Sequence, residues 1–288
     1  MPSHPSWIKV RVPTPAQSQG MAEMRELLTR HRLDTVCQGA QCPNAVECWS
    51  ARTATFLVLG KVCTRNCRFC DVPTGNPAGA IDAEEPKRLA DAIQELGLSY
   101  VVITSVDRDD LPDGGAVAFA HTIDRVAEVT RSSTIEALIP DFGGARSSLD
   151  HLLGTRAKVL GHNLETVRRL TSALRDRRAG YQQSLDVLSY LAEHASGKRI
   201  KSGLMVGLGE SPDEIRETMA DLRDVGVDVL TIGQYLQPSK NAVPVSRFVP
   251  PDEFEKMAAH ARSLGFRTVI AGPLVRSSYH ASEAFSET

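Results

Sequence analysis

Two sets of three cysteines hold the chemistry this chain can do. Cys63, Cys67 and Cys70 occur in "CTRNCRFC" at the spacing C-x3-C-x2-C, and Cys37, Cys42 and Cys48 in "CQGAQCPNAVEC" at C-x4-C-x5-C. Thiolates are soft ligands that suit zinc and iron–sulfur clusters. A structural zinc site uses four protein ligands, and neither set has a fourth Cys or His at the usual spacing. Three thiolates on a [4Fe–4S] cluster instead leave one iron without a protein ligand. A chelating molecule can bind at such an open position.

All six cysteines fall between Cys37 and Cys70 in a chain of 288 residues. A disulfide framework staples a small secreted fold along its whole length, whereas this clustering serves a local site. The opening "MPSHPSWIKVRVPTPAQSQG" is rich in Pro and Ser and lacks an apolar stretch, so it reads as an irregular lead-in and not a signal peptide. No run of 18 apolar residues suggests a membrane span. The expected location is the cytoplasm, where thiols stay reduced. A net charge of −2 offers none of the basic surplus of a nucleic-acid binder.

From about residue 55, short β-rich runs alternate with helical stretches. Strands are expected at 55–60, 100–105, 134–140, 157–161, 200–207 and 229–236, nearly continuously apolar, as parallel strands covered on both faces should be. Helices are expected at 84–97, 115–131, 164–176, 181–195, 212–226 and 252–264. The helix at 84 stops at Gly97, and that at 212 opens with Ser211 as cap, Pro212 and two acids. Six β-α units imply an α/β fold with a parallel sheet, either doubly wound or a complete or partial barrel. The cysteine loop at 63–70 follows the first of these strands, where α/β enzymes place their chemistry.

C-x3-C-x2-C with Phe69 before its last Cys resembles the signature of the radical S-adenosylmethionine superfamily. That resemblance implies a partial (β/α)6 TIM-type barrel. It also implies a [4Fe–4S] cluster whose free iron chelates S-adenosylmethionine, and reductive cleavage to a 5′-deoxyadenosyl radical. The first cysteine set, with "CPN" and "ECW" around it, resembles the auxiliary-cluster motif of the lipoyl synthase family. So do the blocks "TATFLVLGKVCTRNCRFCDV", "ITSVDRDDLPDGGA", "IEALIPDFGG", "GHNLETVRRL", "YQQSLDVL", "KSGLMVGLGE", "TIGQYLQPSK" and "AGPLVRSSYHA", which together span almost the whole chain.

Membership of that family would imply conversion of a protein-bound octanoyl-lysine into a lipoyl group by sulfur insertion at C6 and C8. Two S-adenosylmethionine molecules are used per product, and a second [4Fe–4S] cluster donates the sulfur. Cys63, Cys67 and Cys70 would hold the radical generator, and Cys37, Cys42 and Cys48 the sulfur source. The family closes the auxiliary cluster with a serine of its "RSSY" motif, here Arg276, Ser277, Ser278 and Tyr279; Ser278 is favoured, with Ser277 the alternative. Implied partners are octanoylated carrier domains, either the E2 component of a 2-oxoacid dehydrogenase or the H protein of glycine cleavage, and an electron donor such as ferredoxin or flavodoxin. The expected division is an N-terminal extension at 1–54, the barrel at 55–250 and a C-terminal extension at 251–288.

Read as residues alone, "TSVDRDDLPDGG" is equally a loop with helix-capping acids and a ligand-lining one. The resemblance favours the second and nominates Thr104, Ser105, Asp107, Arg108, Asp109, Asp110, Gly114 and Gly115 for the S-adenosylmethionine site. "GHNLE", after the fourth strand, adds His162, Asn163 and Glu165. Arg168, Arg169, Arg175, Arg177 and Arg178 form a basic run that reads first as a solvated helix face and second as a dock for an acidic carrier. The chain departs from the family's usual pattern at Arg52, where Gly is common, at Lys61, at Gly161 of "GHN", and in "NAVPV". A biotin-synthase-like enzyme would share only the second triad. A ferredoxin-like carrier would be smaller and would close every iron with Cys.

Overall fold

The computed structural model describes residues 5–9, 13–39, 42–130, 133–279 and 281. The chain runs α1 (Pro15–Arg30), β1 (Asp34–Thr35), a helical turn α2 (Val36–Gly39), α3 (Ala45–Ser50), β2 (Thr53–Val58), α4 (Glu85–Leu96) and β3 (Tyr100–Ser105). It continues through α5 (Ala116–Val129), β4 (Thr134–Leu138), α6 (Arg146–Leu153), β5 (Val159–Gly161), α7 (Arg168–Leu174), α8 (Tyr181–His194) and β6 (Arg199–Val206). Last come α9 (Pro212–Asp224), β7 (Val229–Gln234), α10 (Pro251–Ser263) and β8 (Thr268–Gly272). One sheet takes all eight strands in chain order. β2 to β8 run parallel, and β1 lies antiparallel on β2 at one edge. No ladder among the described residues joins β8 back to β1 or β2, so the barrel-type sheet is open.

The six expected strands are β2 to β7, and β8 adds a seventh parallel strand from the segment expected to follow the barrel. The caps follow the local chemistry. Ser211 and Glu214 form a reciprocal capping box at α9, and Gly97 ends α4 in the left-handed region at φ 58°. β1, α2, α3 and α6 are not among the expected elements, and two further stretches differ from expectation. The irregular lead-in ends earlier than its Pro and Ser content suggests, because Thr14 and Gln17 form a capping box that starts α1 at Pro15. The helix expected from 164 starts only at Arg168, because Glu165 has φ 71° and bridges to Leu204 of β6.

Side chains alternate between the faces of a strand. Phe56, Val101, Ile103, Ala137, Leu160, Leu204, Leu230 and Ile232 point outward and share one core with the helices. The alternate positions make a different inner face from the apolar one expected. Thr53, Thr55, Thr104 and Thr231 are buried there, with Gly161, Gly203 and Gly233 between them. Lower on this face, the Lys201 ammonium donates to both Glu136 carboxylate oxygens at 2.7 and 2.9 Å, and the Tyr100 hydroxyl donates to Glu136 at 2.7 Å. Breaking such a buried pair from one side costs roughly 3–5 kcal/mol. Tyr100 and Val102 also pack with Ala281, which is thus seated on the inner face.

Arg52 shows why glycine suits its position: it leads into β2 at φ 55°. Left-handed backbone costs a non-glycine residue about 1–2 kcal/mol, and glycine returns roughly 0.5–1 kcal/mol of that through its freer unfolded chain. Arg52→Gly should therefore raise stability by about 0.5–1 kcal/mol. Urea unfolding of the two proteins side by side measures this, and a lower midpoint for the glycine variant would refute it.

Candidate active site: two cysteine triads and the C-terminal turn

The loop carrying Cys63, Cys67 and Cys70 leaves the C-terminal end of β2 through Leu59 and Gly60, both at positive φ. Its backbone is pinned on several sides. The Cys63 amide donates to Pro73, the Arg68 amide to the Leu174 carbonyl at the end of α7, and the Val243 amide to Arg68. Phe69 packs on Leu174, Leu208 and Tyr235. Each thiol sulfur then accepts one main-chain N–H: from Arg65 to Cys63 at 3.4 Å, from Asp176 to Cys67 at 3.3 Å, and from Val72 to Cys70 at 3.5 Å. Donors of this kind stabilise negative charge on sulfur. Burial pushes the Cys63 and Cys67 thiols up to about 11 and Cys70 up as well, so ligation has to displace their protons.

A buried ion network braces this loop. Arg65 makes paired hydrogen bonds to Asp109 at 2.8–3.2 Å and to Asp141 at 2.7 Å, and lies 3.3 Å from Asp107. Burial pushes Asp141 up, but the Arg65 guanidinium outweighs it and holds the carboxyl near 2. Asp107 lacks so close a partner, and burial raises it to about 6. Thr64 ties the network to the loop after β3, donating to Asp109 at 2.6 Å and to the Asp107 carbonyl at 3.0 Å.

The residues expected around S-adenosylmethionine separate into two groups. Arg108 is buried against Asp110 and the Leu59 carbonyl, and Gly79 also donates to Asp110. Gly114 and Gly115 lie at φ 66° and 87°, packed on Phe142 and Leu59, where they open α5. His162 is fully engaged: Nδ1 meets the Ile139 carbonyl at 3.0 Å and Nε2 the Ser184 hydroxyl at 2.9 Å, while burial lowers its pKa to about 4. These five, with Asp109, hold the loops in shape. Ser105 Oγ and Asn163 Oδ1 at the ends of β3 and β5, and Arg175 Nε at the end of α7, are buried polar atoms without a partner, and burial raises the nearby Glu165. Thr104 lies beside them on the inner face.

The first triad lies on the segment that enters and leaves β1, α2 and α3. The Cys42 amide donates to the Cys37 carbonyl at 3.0 Å, and the Cys48 amide to Asn44 at 2.9 Å. Burial raises the Cys37 thiol and takes Cys48 to about 12, with the neighbouring Cys42 adding to both and Cys37 adding to Cys48. No three His, Cys, Asp or Glu among the described residues converge on a single-ion site.

The C-terminal turn docks on this triad. Asn44 Nδ2 donates to the Leu274 carbonyl at 2.6 Å, and the Tyr279 hydroxyl donates to the Glu47 carboxylate at 3.2 and 3.3 Å. Arg276 donates to the Gln234 and Val275 carbonyls at 3.2 and 2.7 Å and feels the charge of Cys42. Ser277 and Ser278 lie in the turn between these anchors. Sequence separation of over 220 residues is thus closed by contacts on both sides of the serine pair.

The basic run does not behave as one surface. Arg168 pairs with Asp221 and stacks on Tyr181, Arg169 pairs with Glu214, and Arg178 pairs with Asp176 and Asp109. Arg175 is buried and donates to Ser184 at 2.8 Å, which corrects its placement on a solvated face. Arg177 is exposed. Sequence reasoning passed over Arg65 and Asp141, although both lie inside the quoted blocks, because only the fold brings an arginine of one loop against aspartates of two others.

Residues 57–222 match the Radical SAM superfamily. The chain is 52% identical over 284 residues to the lipoyl synthase of Thermus thermophilus, covering 98% of this chain and 87% of that one. It is 49% identical over 287 residues to the lipoyl synthase of Pyrobaculum arsenaticum, covering 99% and 96%. Among solved structures, the FeFe-hydrogenase maturase HydG from Carboxydothermus hydrogenoformans matches with a TM-score of 0.61 at 16% identity, over 94% of this chain and 69% of that one. This last likeness is one of fold.

Proposed function

The chain belongs to the lipoyl synthase family within the Radical SAM superfamily, and on that premise we propose that its two cysteine triads divide one reaction between them. The substrate is an octanoyl group on a carrier-protein lysine, and the product carries sulfur at C6 and C8. Cys63, Cys67 and Cys70 hold the radical-generating [4Fe–4S] cluster. Cys37, Cys42 and Cys48 hold an auxiliary [4Fe–4S] cluster, with Ser278 as its fourth ligand and Ser277 the alternative. When bound, the first cluster with S-adenosylmethionine supplies the radical that removes hydrogen from unactivated carbon, and the second supplies sulfur.

The observation that carries this reading is the docking of the Arg276–Tyr279 turn onto the first triad through Asn44 and Glu47. Serine oxygen is a harder ligand than thiolate and a poorer match for a cluster. A ligand that releases readily suits a cluster that has to give up sulfur. At the other triad, three main-chain N–H groups orient the sulfurs, and the Arg65 network fixes the loop that presents them. Ser105, Asn163 and Arg175 supply unsatisfied polar atoms, and Glu165 a buried carboxyl, for the amino acid and ribose parts of S-adenosylmethionine. Asp107 and Thr104 border the same space.

The carrier is an E2 or H-protein lipoyl domain, and an electron donor of the ferredoxin or flavodoxin type supplies the electrons. Anaerobic reconstitution tests the division: about eight irons should bind per chain, and added S-adenosylmethionine and reductant should release 5′-deoxyadenosine. About four irons, or no deoxyadenosine, would overturn it.

A further inference from the structure

We propose that Arg68, Arg177 and Lys240 form the docking face for the protein that brings electrons to the radical cluster, a one-electron carrier with an acidic surface around its redox centre. This inference rests on the reading of the second triad as the radical generator. All three side chains are exposed, and none has an acidic partner among the described residues. Arg68 meets only the Ala173 carbonyl, at 3.3 Å, and so keeps its full charge. Arg178 beside Arg177 is already neutralised by Asp176 and Asp109, as Arg168 and Arg169 are by Asp221 and Glu214.

Three segments far apart in sequence bring these cations to one place. The Arg68 amide donates to the Leu174 carbonyl at 2.7 Å, and the Val243 amide to the Arg68 carbonyl at 2.8 Å. The Asp176 carboxylate accepts from the Asn66 amide at 3.0 Å, which ties the residue before Arg177 to the cysteine loop as well. Lys240 lies in the turn that the Ala242 amide closes on the Ser239 carbonyl at 3.2 Å, just before Val243. Asp71 is the one acid of residues 66–71, 173–178 and 239–243 without an ion pair. The chain as a whole carries a charge of −2, so an uncompensated positive group here runs against its average.

The place of the patch selects its partner. Arg68 sits between two of the cluster ligands, Cys67 and Cys70, and Arg177 follows the residue whose amide donates to the Cys67 sulfur at 3.3 Å. Cys70 is exposed, whereas the other five cysteines are half-buried. Electron tunnelling weakens steeply with distance, so a donor has to dock on the surface nearest the cluster. A carrier lysine brings its acyl group in on a long flexible arm and needs no such approach to the sulfur-bearing loop. The docked donor is oxidised by one electron and reduces the cluster by the same electron, with no proton transferred. Free cations at this rim draw the acidic donor in with its redox centre against the loop. Steering of this kind raises association rates by about 10–1000-fold.

The test uses the reconstituted full chain, an acidic flavodoxin as the probe, and the double variant Arg177→Glu, Lys240→Glu. Calorimetry should show flavodoxin binding weakened by about tenfold or more, the lower bound for losing such steering. Added salt should weaken the parent's binding strongly and the variant's little. With reduced flavodoxin as reductant, its KM should rise by a similar factor. With reduced methyl viologen, which needs no docking face, the variant should release deoxyadenosine at the parent rate. Arg177→Lys, which keeps the charge, should bind flavodoxin as the parent does. Unchanged flavodoxin binding in the double variant overturns the proposal. A raised KM for the octanoylated carrier, with none for flavodoxin, also overturns it and makes the patch a carrier dock. Loss of deoxyadenosine with the viologen as well would place the defect in the cluster loop and overturn the docking role. A parent protein that releases no deoxyadenosine with the viologen fails earlier, at the reading of the triad itself.

Discussion

Changing Cys67 to alanine should bring 5′-deoxyadenosine formation to background while the auxiliary cluster stays in place. Cys67 is the middle ligand of its triad, held by the Asp176 amide at 3.3 Å in a loop that Arg65 and Phe69 fix on either side. Loss of an outer partner of a metal ligand costs about 10–100-fold in affinity or activity, and loss of the ligand itself costs more than that. The fold should survive, since Cys67 lies in a loop outside the helix–sheet core. Chromatographic detection of deoxyadenosine and an iron count together check both halves. Deoxyadenosine at the parent rate would remove this triad from the chemistry.

Gly233→Ala should uncouple the two halves of the reaction in the opposite sense. Gly233 lies on the inner face of β7, and a Cβ there would clash with the Val275 carbonyl oxygen and stand 3.0 Å from its carbon. The obstacle is backbone, so the C-terminal turn has to move. β7 remains held by its ladders to β6 and β8, and the cost to stability should stay in the range of about 1–3 kcal/mol for overpacking. With the turn displaced, Arg276, the serine pair and Tyr279 lose their seat on the first triad. Product formation should fall more than tenfold, the lower bound for losing a partner of a metal site, while deoxyadenosine is still released. Parallel measurement of deoxyadenosine and thiolated product decides it. Equal loss of both, or of neither, would show that the turn does not serve the sulfur donor.

The sequence was legible where physics is local. The six strands, the Ser211 cap, the Gly97 stop and both cysteine spacings depend on neighbours a few residues away. The loop of Cys63, Cys67 and Cys70 could be placed at a strand's C-terminal end for the same reason. The inner face was not legible, because a Thr or Gly within an apolar run does not announce which face it takes. The polar pair Glu136–Lys201 disappears into such runs until the strands are placed side by side. Roles within "TSVDRDDLPDGG" depended on distant partners as well: Asp109 belongs to Arg65, Asp110 to Arg108, and Asp113 caps α5 through Gly115 and Val117. Gly233 carries no signal of its own, and only Val275, 42 positions later, gives it meaning.

The central claim is that one triad generates the radical and the other gives up its sulfur. The most direct test reconstitutes the protein with iron and heavy-isotope sulfide, then adds S-adenosylmethionine, reductant and an octanoyl-lysyl carrier in a single turnover. Mass spectrometry of the product should show two added sulfur atoms, both of the heavy isotope. Product whose sulfur is unlabelled, or deoxyadenosine released with no sulfur on the octanoyl group, would contradict the assignment.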